Sequence, residues 1–277
     1  MTELKLDKRG NVMIGAILGD IIGSTYEWNN VKHENFDLFP IGSRFTDDTV
    51  LSVAVADKIL NSQNAKINDR SAYAMWFKQY YKRYPHAGFG QMFSSWANSK
   101  TIQIQRSFGN GAAMRISAIG FAFSSIKEIK REVNGSCFYT HHNLEAIRGA
   151  QAIAISIFLA KKQLGKEEIK RYIQKVFKYH LPPLDDIRNG YVFDSRTSYS
   201  VPPAIEAFLE SDSYETAIRK AISIGGDSDT IACMTGGIAQ AYYRHIPKEI
   251  YHKGIYLLDI DLRKTVKHFN EKYHVEY

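Results

Sequence analysis

The sequence predicts an all-α fold that forms one compact domain. In most segments apolar residues recur at intervals of three and four, which is the spacing of an amphipathic helix. Segments with the strict alternation of apolar and polar residues that marks a half-buried strand are not evident. No stretch rich in proline, glycine or serine divides the 277 residues, so we predict a single domain over positions 1–277.

The first predicted helix, Asn11–Tyr26, carries glycines at a spacing of four residues, at Gly15, Gly19 and Gly23. On one helix face these glycines form a smooth ridge that allows a neighbouring backbone to approach closely. Each glycine costs about 1 kcal/mol relative to alanine, so tight packing must offset them. We predict that Asp20, on the same helix, is a buried structural acid with hydrogen-bond partners.

The second predicted helix, Val50–Leu60, follows the segment Phe45–Thr49, which contains the adjacent acids Asp47 and Asp48. Negative charge is favoured at a helix N-terminus by the free N–H groups and by the helix dipole. An ordinary helix cap is one interpretation of this segment. A functional pair of carboxylates is the other, and this segment taken alone favours the cap.

A second acidic segment, Gly225–Thr230, precedes the predicted helix Ile231–Tyr243 and contains Asp227 and Asp229. If the two segments converge, four carboxylates share a small space, and like charges that close require compensation. Divalent cations supply that compensation. All-oxygen ligands of this kind suit Mg²⁺, Mn²⁺ or Ca²⁺ rather than zinc.

The same spacing of apolar residues predicts helices in most of the remaining chain. They are Asp69–Tyr84, Ala112–Phe123, Leu144–Leu159, Lys166–His180, Pro203–Glu210, Tyr214–Ile224 and Arg263–Tyr277. Irregular segments are predicted at Asn29–Arg44, Asn61–Asp69, Pro85–Gly90 and Asp194–Pro203. Asp212 and Glu215 have the spacing of a capping box before the Tyr214 helix.

Two further loops carry polar groups before predicted helices. Arg106–Gly111 contains an Asn-Gly pair, which is typical of a tight turn. Such a turn offers N–H donors to an anion such as phosphate, although the spacing alone favours a plain turn. His141 and His142 precede the Leu144 helix, where they can serve as caps, as ligand contacts or as metal ligands.

The composition is that of a globular protein, with 44% hydrophobic and 23% charged residues and a formal net charge of +7. Solvated helix faces, a nucleic-acid footprint or an anionic small substrate would each account for the excess of basic residues. The two cysteines, Cys137 and Cys233, form no disulfide framework, and Met1–Gly10 lacks a signal-peptide core. We therefore predict a cytoplasmic protein without membrane association.

Six motifs in this order resemble those of the ADP-ribosylglycohydrolases, which include the dinitrogenase-reductase-activating glycohydrolase and the ADP-ribosyl-acceptor hydrolases. The motifs are Gly15–Asp20 through Glu27, Phe45–Thr49, Phe108–Arg115, Thr140-His141, Gly149–Ala152 and Gly225–Thr230. Together they cover roughly Val12 to Tyr243. The resemblance implies a compact all-helical fold with a cleft that holds two divalent cations, Mg²⁺ or Mn²⁺.

Carried over position by position, the resemblance also implies roles for individual residues. The implied metal ligands are Thr46, Asp47, Asp48, Asp227, Asp229 and Thr230. The implied contacts of ADP-ribose are Ser107, Gly109, Asn110, Gly111, Met114 and His141, with Tyr199 stacked on the adenine. Glu27 and Asp48 are the candidate catalytic acids. Bacterial members often read Thr-His-Asn-His-Pro where this chain reads Thr-His-His-Asn-Leu, so the resemblance assigns no role to His142.

These residues predict a metal-dependent hydrolase that cleaves ADP-ribose from a protein acceptor or a small conjugate. Such a reaction passes through an oxocarbenium-like transition state and needs an activated water. Arginine, serine, a nucleic-acid end and O-acetyl-ADP-ribose all remain open as acceptors. The alternatives are a catalytically silent ADP-ribose-binding or structural protein on the same fold, and a basic nucleic-acid-binding helical domain.

Overall fold

The computed structural model describes residues 13–61 and 69–275, and within these ranges it contains fifteen helices and no strand. The helices are α1 Gly15–Gly23, α2 Asp47–Asn61, α3 Asp69–Arg83, α4 Gln91–Asn98, α5 Gly111–Met114, α6 Ser117–Ala122, α7 Ile126–Cys137, α8 Leu144–Lys161, α9 Lys166–Phe177, α10 Leu184–Arg188, α11 Thr197–Leu209, α12 Tyr214–Ser223, α13 Ser228–Tyr243, α14 Lys248–Leu257 and α15 Ile260–Tyr273. The all-α prediction is confirmed.

Helices α1 and α13 pack backbone to backbone along the glycine ridge. A Cβ placed on Gly19 would lie 2.1 Å from the carbonyl oxygen of Ala232, and one on Gly23 would lie 2.4 Å from the Cα of Asp229. No side chain fits at either position, so the ridge prediction is confirmed. The contact at Gly23 brings the C-terminal end of α1 against the first turn of α13.

A single cluster of buried apolar side chains connects the helices that surround this pair, from Met13 on the chain entering α1 to Val275 after α15. Every residue of α1 is buried, and most of α8 and α13 is buried as well. This continuous core agrees with one domain, although the predicted limits of 1–277 include positions outside the described residues. None of the described helices has the length and apolar character needed to cross a membrane.

Helix α11 begins six residues earlier than predicted, at Thr197 rather than Pro203. Pro202 and Pro203 therefore lie inside the helix, although they lack the N–H groups that would donate to its hydrogen-bond ladder. The helix start is fixed by tertiary contacts, since the Thr197 hydroxyl lies 2.8 Å and 2.7 Å from the carbonyl oxygens of Phe108 and Gly109.

The predicted capping box also moves by one residue, because Ser213 and not Asp212 caps α12. The Ser213 hydroxyl accepts the N–H of Thr216 at 3.2 Å. Helices α4, α7, α10 and α14 have no counterpart among the helix ranges assigned from the sequence, and the predicted helix Ala112–Phe123 is divided into α5 and α6. Three predictions fall partly outside the described residues: the Asn11–Tyr26 helix start, the Asn61–Asp69 connection and the end of the Arg263–Tyr277 helix.

Candidate metal centre and substrate cleft

A cleft of about 680 Å³ opens where the N-termini of α2 and α13 meet the loops before α5 and α11. Its volume is within the range of pockets that hold small ligands and cofactors. Thirteen of the predicted site residues line it: Glu27, Thr46, Asp47, Asp48, Ser107, Gly109, Asn110, Gly111, Met114, His141, Asp227, Asp229 and Thr230. The structure thus brings together segments from both ends of the chain, between Glu27 and Thr230.

Asp20, on α1, holds the start of α2 in place. Its carboxylate accepts the backbone N–H of Thr46 at 2.9 Å and of Thr49 at 3.2 Å, and it accepts the hydroxyl groups of both threonines as well. The Asp20 side chain is fully buried. The prediction of a buried, hydrogen-bonded structural acid is confirmed, and its function is to cap the next helix.

Asp48 lies between the two helix N-termini. Its Oδ2 atom lies 3.3 Å from the hydroxyl of Thr46 and 3.3 Å from the hydroxyl of Thr230, so one oxygen joins α2 to α13. Its other oxygen, Oδ1, is buried and has no hydrogen-bond partner among the described residues. A buried acceptor in this state is costly unless a cation or water completes it.

Two groups of three carboxylates meet in this region. One oxygen from each of Asp20, Asp48 and Asp229 lies within 4.8 Å of the others. The same holds for Glu27, Asp227 and Asp229, so Asp229 belongs to both groups. Asp47 lines the cleft but belongs to neither group. Sequence reasoning did not place Asp20 with the other acids, although an aspartate on an otherwise apolar helix was a signal that it has buried partners.

Burial and mutual repulsion raise the pKa values of this cluster. Burial, then the charges of neighbouring aspartates, raises the pKa of Asp48 and of Asp229 well above the usual range. The same causes raise the pKa of Asp47 to about 8, and burial with the charge of Asp227 raises the pKa of Glu27 to about 7. Without a cation, the cluster therefore takes up protons near neutral pH.

Asn110 connects the loop before α5 to the acid cluster. Its side-chain amide donates to Asp227 Oδ2 at 2.8 Å and to the hydroxyl of Ser200 at 3.0 Å. Its backbone N–H donates to the carbonyl oxygen of Ser195 at 2.8 Å. Asn110 therefore orients an acid, in addition to the substrate contact that the resemblance implies. Its place after a glycine in a tight turn gave no sign of this second role.

The His141 ring lies against the Gly109–Gly111 turn. Its Nδ1 atom lies 2.9 Å from the Thr140 hydroxyl, which accepts a hydrogen bond from Arg115 at 2.8 Å. Burial and the Arg115 charge lower the pKa of His141 well below its usual value, so the ring is neutral. A Cβ on Gly111 would lie 3.3 Å from the ring Nε2, so this nitrogen faces the loop. Arg115 belongs to one of the motifs that carry the family resemblance, but no role was predicted for it from the sequence.

Tyr199 does not line this cleft. Its ring stacks on Tyr191, with centroids 4.5 Å apart, and it lies beside a second, shallower pocket. Four other aromatic side chains line the cleft, among them Phe93, and three of the four are exposed: Phe108, which is 51% exposed, and Trp28 stacked on Phe193 with centroids 5.4 Å apart. These rings offer the exposed faces on which a planar base can stack.

Comparison with known proteins identifies the family. The sequence profile of the ADP-ribosylglycohydrolases matches residues 1–273. The ADP-ribosylhydrolase ARH3 of Homo sapiens is 26% identical over 83% of this chain and 84% of its own length. ARH3 of Xenopus tropicalis is 27% identical over 83% and 85%.

A solved structure described as an ADP-ribosylglycohydrolase-related protein complex has the same fold. It superimposes with a TM-score of 0.68 over 95% of this chain and 96% of its own, at 19% sequence identity. At that identity the likeness concerns the fold alone. The profile match covers almost the whole sequence, and so this chain belongs to the ADP-ribosylglycohydrolase family.

Proposed function

We propose that the protein is a divalent-metal-dependent hydrolase that cleaves the bond between ADP-ribose and an acceptor. The observation that carries this proposal is that two groups of three carboxylates have Asp229 in common, and that Asp229 lines a cleft large enough for a substrate. The family and its ARH3 relatives supply the substrate class. The proposal includes the identity of the metal, the number of metal ions bound and the group to which ADP-ribose is attached.

The residues present fit a divalent cation. Asp48 Oδ1 is buried without a hydrogen-bond partner in the described chain, and the surrounding acids are too crowded to remain ionised alone. Only oxygen donors contribute to the two groups, and this suits Mg²⁺, Mn²⁺ or Ca²⁺, of which the family resemblance favours the first two. We assign Asp48, Asp227 and Asp229 as ligands, with Thr46, Asp47 and Thr230 as further candidates. When bound, such ions orient ribose hydroxyls and lower the pKa of a bound water.

Of the two candidate catalytic acids, Glu27 has the better access to substrate. Glu27 is partly exposed at the cleft, whereas Asp48 is 2% exposed and held between two threonines. Proton transfer requires an acid within hydrogen-bond reach of the reacting groups. We therefore assign Glu27 as the general acid or base and Asp48 as a residue that holds the cation.

The part of the cleft around the Gly109–Gly111 turn suits the ADP-ribose moiety. The Gly109–Gly111 turn lies beside the neutral His141 ring, and the cationic side chains of Arg44 and Arg106 also line the cleft. The two guanidinium groups favour a pyrophosphate, whereas the backbone N–H groups of Gly109 and Asn110 already donate to Ser107 and Ser195. We propose that the adenine stacks on Phe108, because this ring is exposed inside the cleft whereas Tyr199 lies outside it.

The test is release of ADP-ribose by the purified protein from arginine-, serine-, nucleic-acid-linked and O-acetyl conjugates, with Mg²⁺ or Mn²⁺ and after chelation. Activity should require the metal and should be lost in Asp48→Asn, while Asp261→Asn, an exposed acid on α15, serves as the matched control. Activity that survives both chelation and Asp48→Asn would contradict the mechanism. Tight binding of ADP-ribose with no turnover of any conjugate would support the catalytically silent alternative.

A further inference from the structure

The loop after α1 contains an asparagine whose amide joins two parts of the acid cluster. Asn30 Nδ2 donates to the carbonyl oxygens of Tyr26 at 2.7 Å and Glu27 at 2.8 Å. The same amide faces Gly226, where Oδ1 accepts the backbone N–H at 2.7 Å and Nδ2 lies 3.2 Å from the carbonyl oxygen. One side chain therefore links the backbone that carries Glu27 to the loop that carries Asp227.

Lys32 supports the same loop from its other end. Its ammonium group donates to the carbonyl oxygen of Ile224 and, at 2.6 Å, to that of Tyr191. Gly225 and Gly226 both have φ of 74°, which is a left-handed conformation that glycine readily adopts but also readily leaves. The shape of this loop is therefore imposed by side chains from the segment after α1.

This link opposes an electrostatic repulsion. Glu27, Asp227 and Asp229 bring their carboxylate oxygens within 4.8 Å of one another, and like charges at that distance push their segments apart. The packing of Gly23 against α13 fixes Asp229, and the amide of Asn110 holds Asp227. The Asn30 contacts place the third carboxylate by fixing the Glu27 backbone relative to Gly226.

We propose that Asn30 is a positioning residue that pre-organises Glu27 and Asp227 for a divalent cation and for reaction. The inference rests on the proposed metal-dependent function. A site whose ligands are held in advance binds its ion more tightly, because less ordering is needed on binding. Residues that orient metal ligands typically change metal affinity by about 10–100-fold when they are replaced.

The chain provides a matched control in the preceding residue. Asn29 is also exposed, and its amide makes only a 3.4 Å contact with the carbonyl oxygen of Thr25 in the same turn. Asn29→Ala therefore removes an equal side chain without touching the Gly226 loop. Asn30→Ala and Asn30→Leu both remove the linking amide, and the leucine variant retains the approximate size of the side chain.

The experiment titrates the purified full-length proteins with Mn²⁺ and measures free Mn²⁺ by electron paramagnetic resonance, with thermal unfolding recorded in parallel. We expect both Asn30 variants to raise the Kd for Mn²⁺ by about tenfold, with a melting temperature close to that of Asn29→Ala. With an ADP-ribose conjugate, kcat should fall more than KM changes, because Glu27 is displaced.

Three results would overturn the inference. These are an unchanged Kd in both Asn30 variants, an equal change in Asn29→Ala, or a weaker Kd that merely follows a lower melting temperature. Lys32→Met removes the second support of the loop and should weaken Mn²⁺ binding in the same direction. A wild-type protein that binds no Mn²⁺ would instead reject the proposed function itself.

Discussion

The two halves of the acid cluster are built differently. The half at α2 is fixed by buried hydrogen bonds between helices, in which Asp20 caps α2 and Asp48 meets the hydroxyl groups of Thr46 and Thr230. The half at Asp227 lies on a two-glycine loop and is held by Asn30, Asn110 and Lys32. The first half belongs to the core, whereas the second is shaped by side chains from other loops.

This difference separates fold stability from ligand placement. Changes in the α2 half should lower the free energy of unfolding, because its hydrogen bonds are buried. Changes around the Asp227 loop should alter metal affinity and turnover while the fold remains intact where the support is exposed, as at Asn30, or half-buried, as at Lys32.

The largest effect is expected at Asp229, which belongs to both carboxylate groups. Asp229→Asn removes a charged ligand from both groups, and we expect kcat/KM to fall by at least about 100-fold with loss of Mn²⁺ binding. Steady-state kinetics and Mn²⁺ titration check this outcome, with Asp261→Asn as control. Retention of full metal stoichiometry in Asp229→Asn would mean that the shared carboxylate is not a ligand.

A pair of substitutions tests the contrast directly. Asn30→Ala removes an exposed amide that holds the Asp227 loop and should raise the Kd for Mn²⁺ by about tenfold with little change in stability. Thr49→Val removes a buried hydroxyl from Asp20 and should lower the free energy of unfolding by about 1–2 kcal/mol with a smaller change in Kd. Urea unfolding and Mn²⁺ titration of both variants check this, and the reverse pattern would contradict it.

An aromatic ring inside the cleft and one outside it should differ in their effect on substrate binding. Phe108→Leu removes a ring exposed in the cleft and should raise the KM for an ADP-ribose conjugate by about fivefold to tenfold. Tyr199→Leu, in which the lost ring stacks on Tyr191 outside the cleft, should change KM less. A larger KM effect at Tyr199 would restore the prediction that this tyrosine stacks on the adenine.

The pH dependence of stability reports the charge of the cluster. Because the folded-state pKa of Glu27 is raised to about 7 and that of Asp47 to about 8, the native metal-free protein holds protons that the unfolded chain has released. Stability should therefore fall as pH rises from about 5 to 8, by a few degrees in melting temperature. Saturating Mn²⁺ should flatten this slope. A melting temperature that rises over this interval without metal would contradict the assignment.

Local sequence patterns were sufficient for much of the fold but not for its contacts. Glycines at a spacing of four predicted the α1 ridge, and acids at two helix starts predicted the pair of segments that meet in the cleft. The start of α11 was missed because Thr197 is anchored to a distant loop that outweighs the local effect of two prolines. The linking role of Asn30 depends on Gly226, almost 200 positions away, and no local pattern reports that contact.

Sharing Asp229 between both carboxylate groups makes the two candidate cation positions dependent on each other. An ion in one position draws on the charge that would attract an ion to its neighbour, so the second ion should be held less tightly. Mild chelation should then remove the two ions in two stages, and the protein with one ion bound would be a distinct species with its own activity.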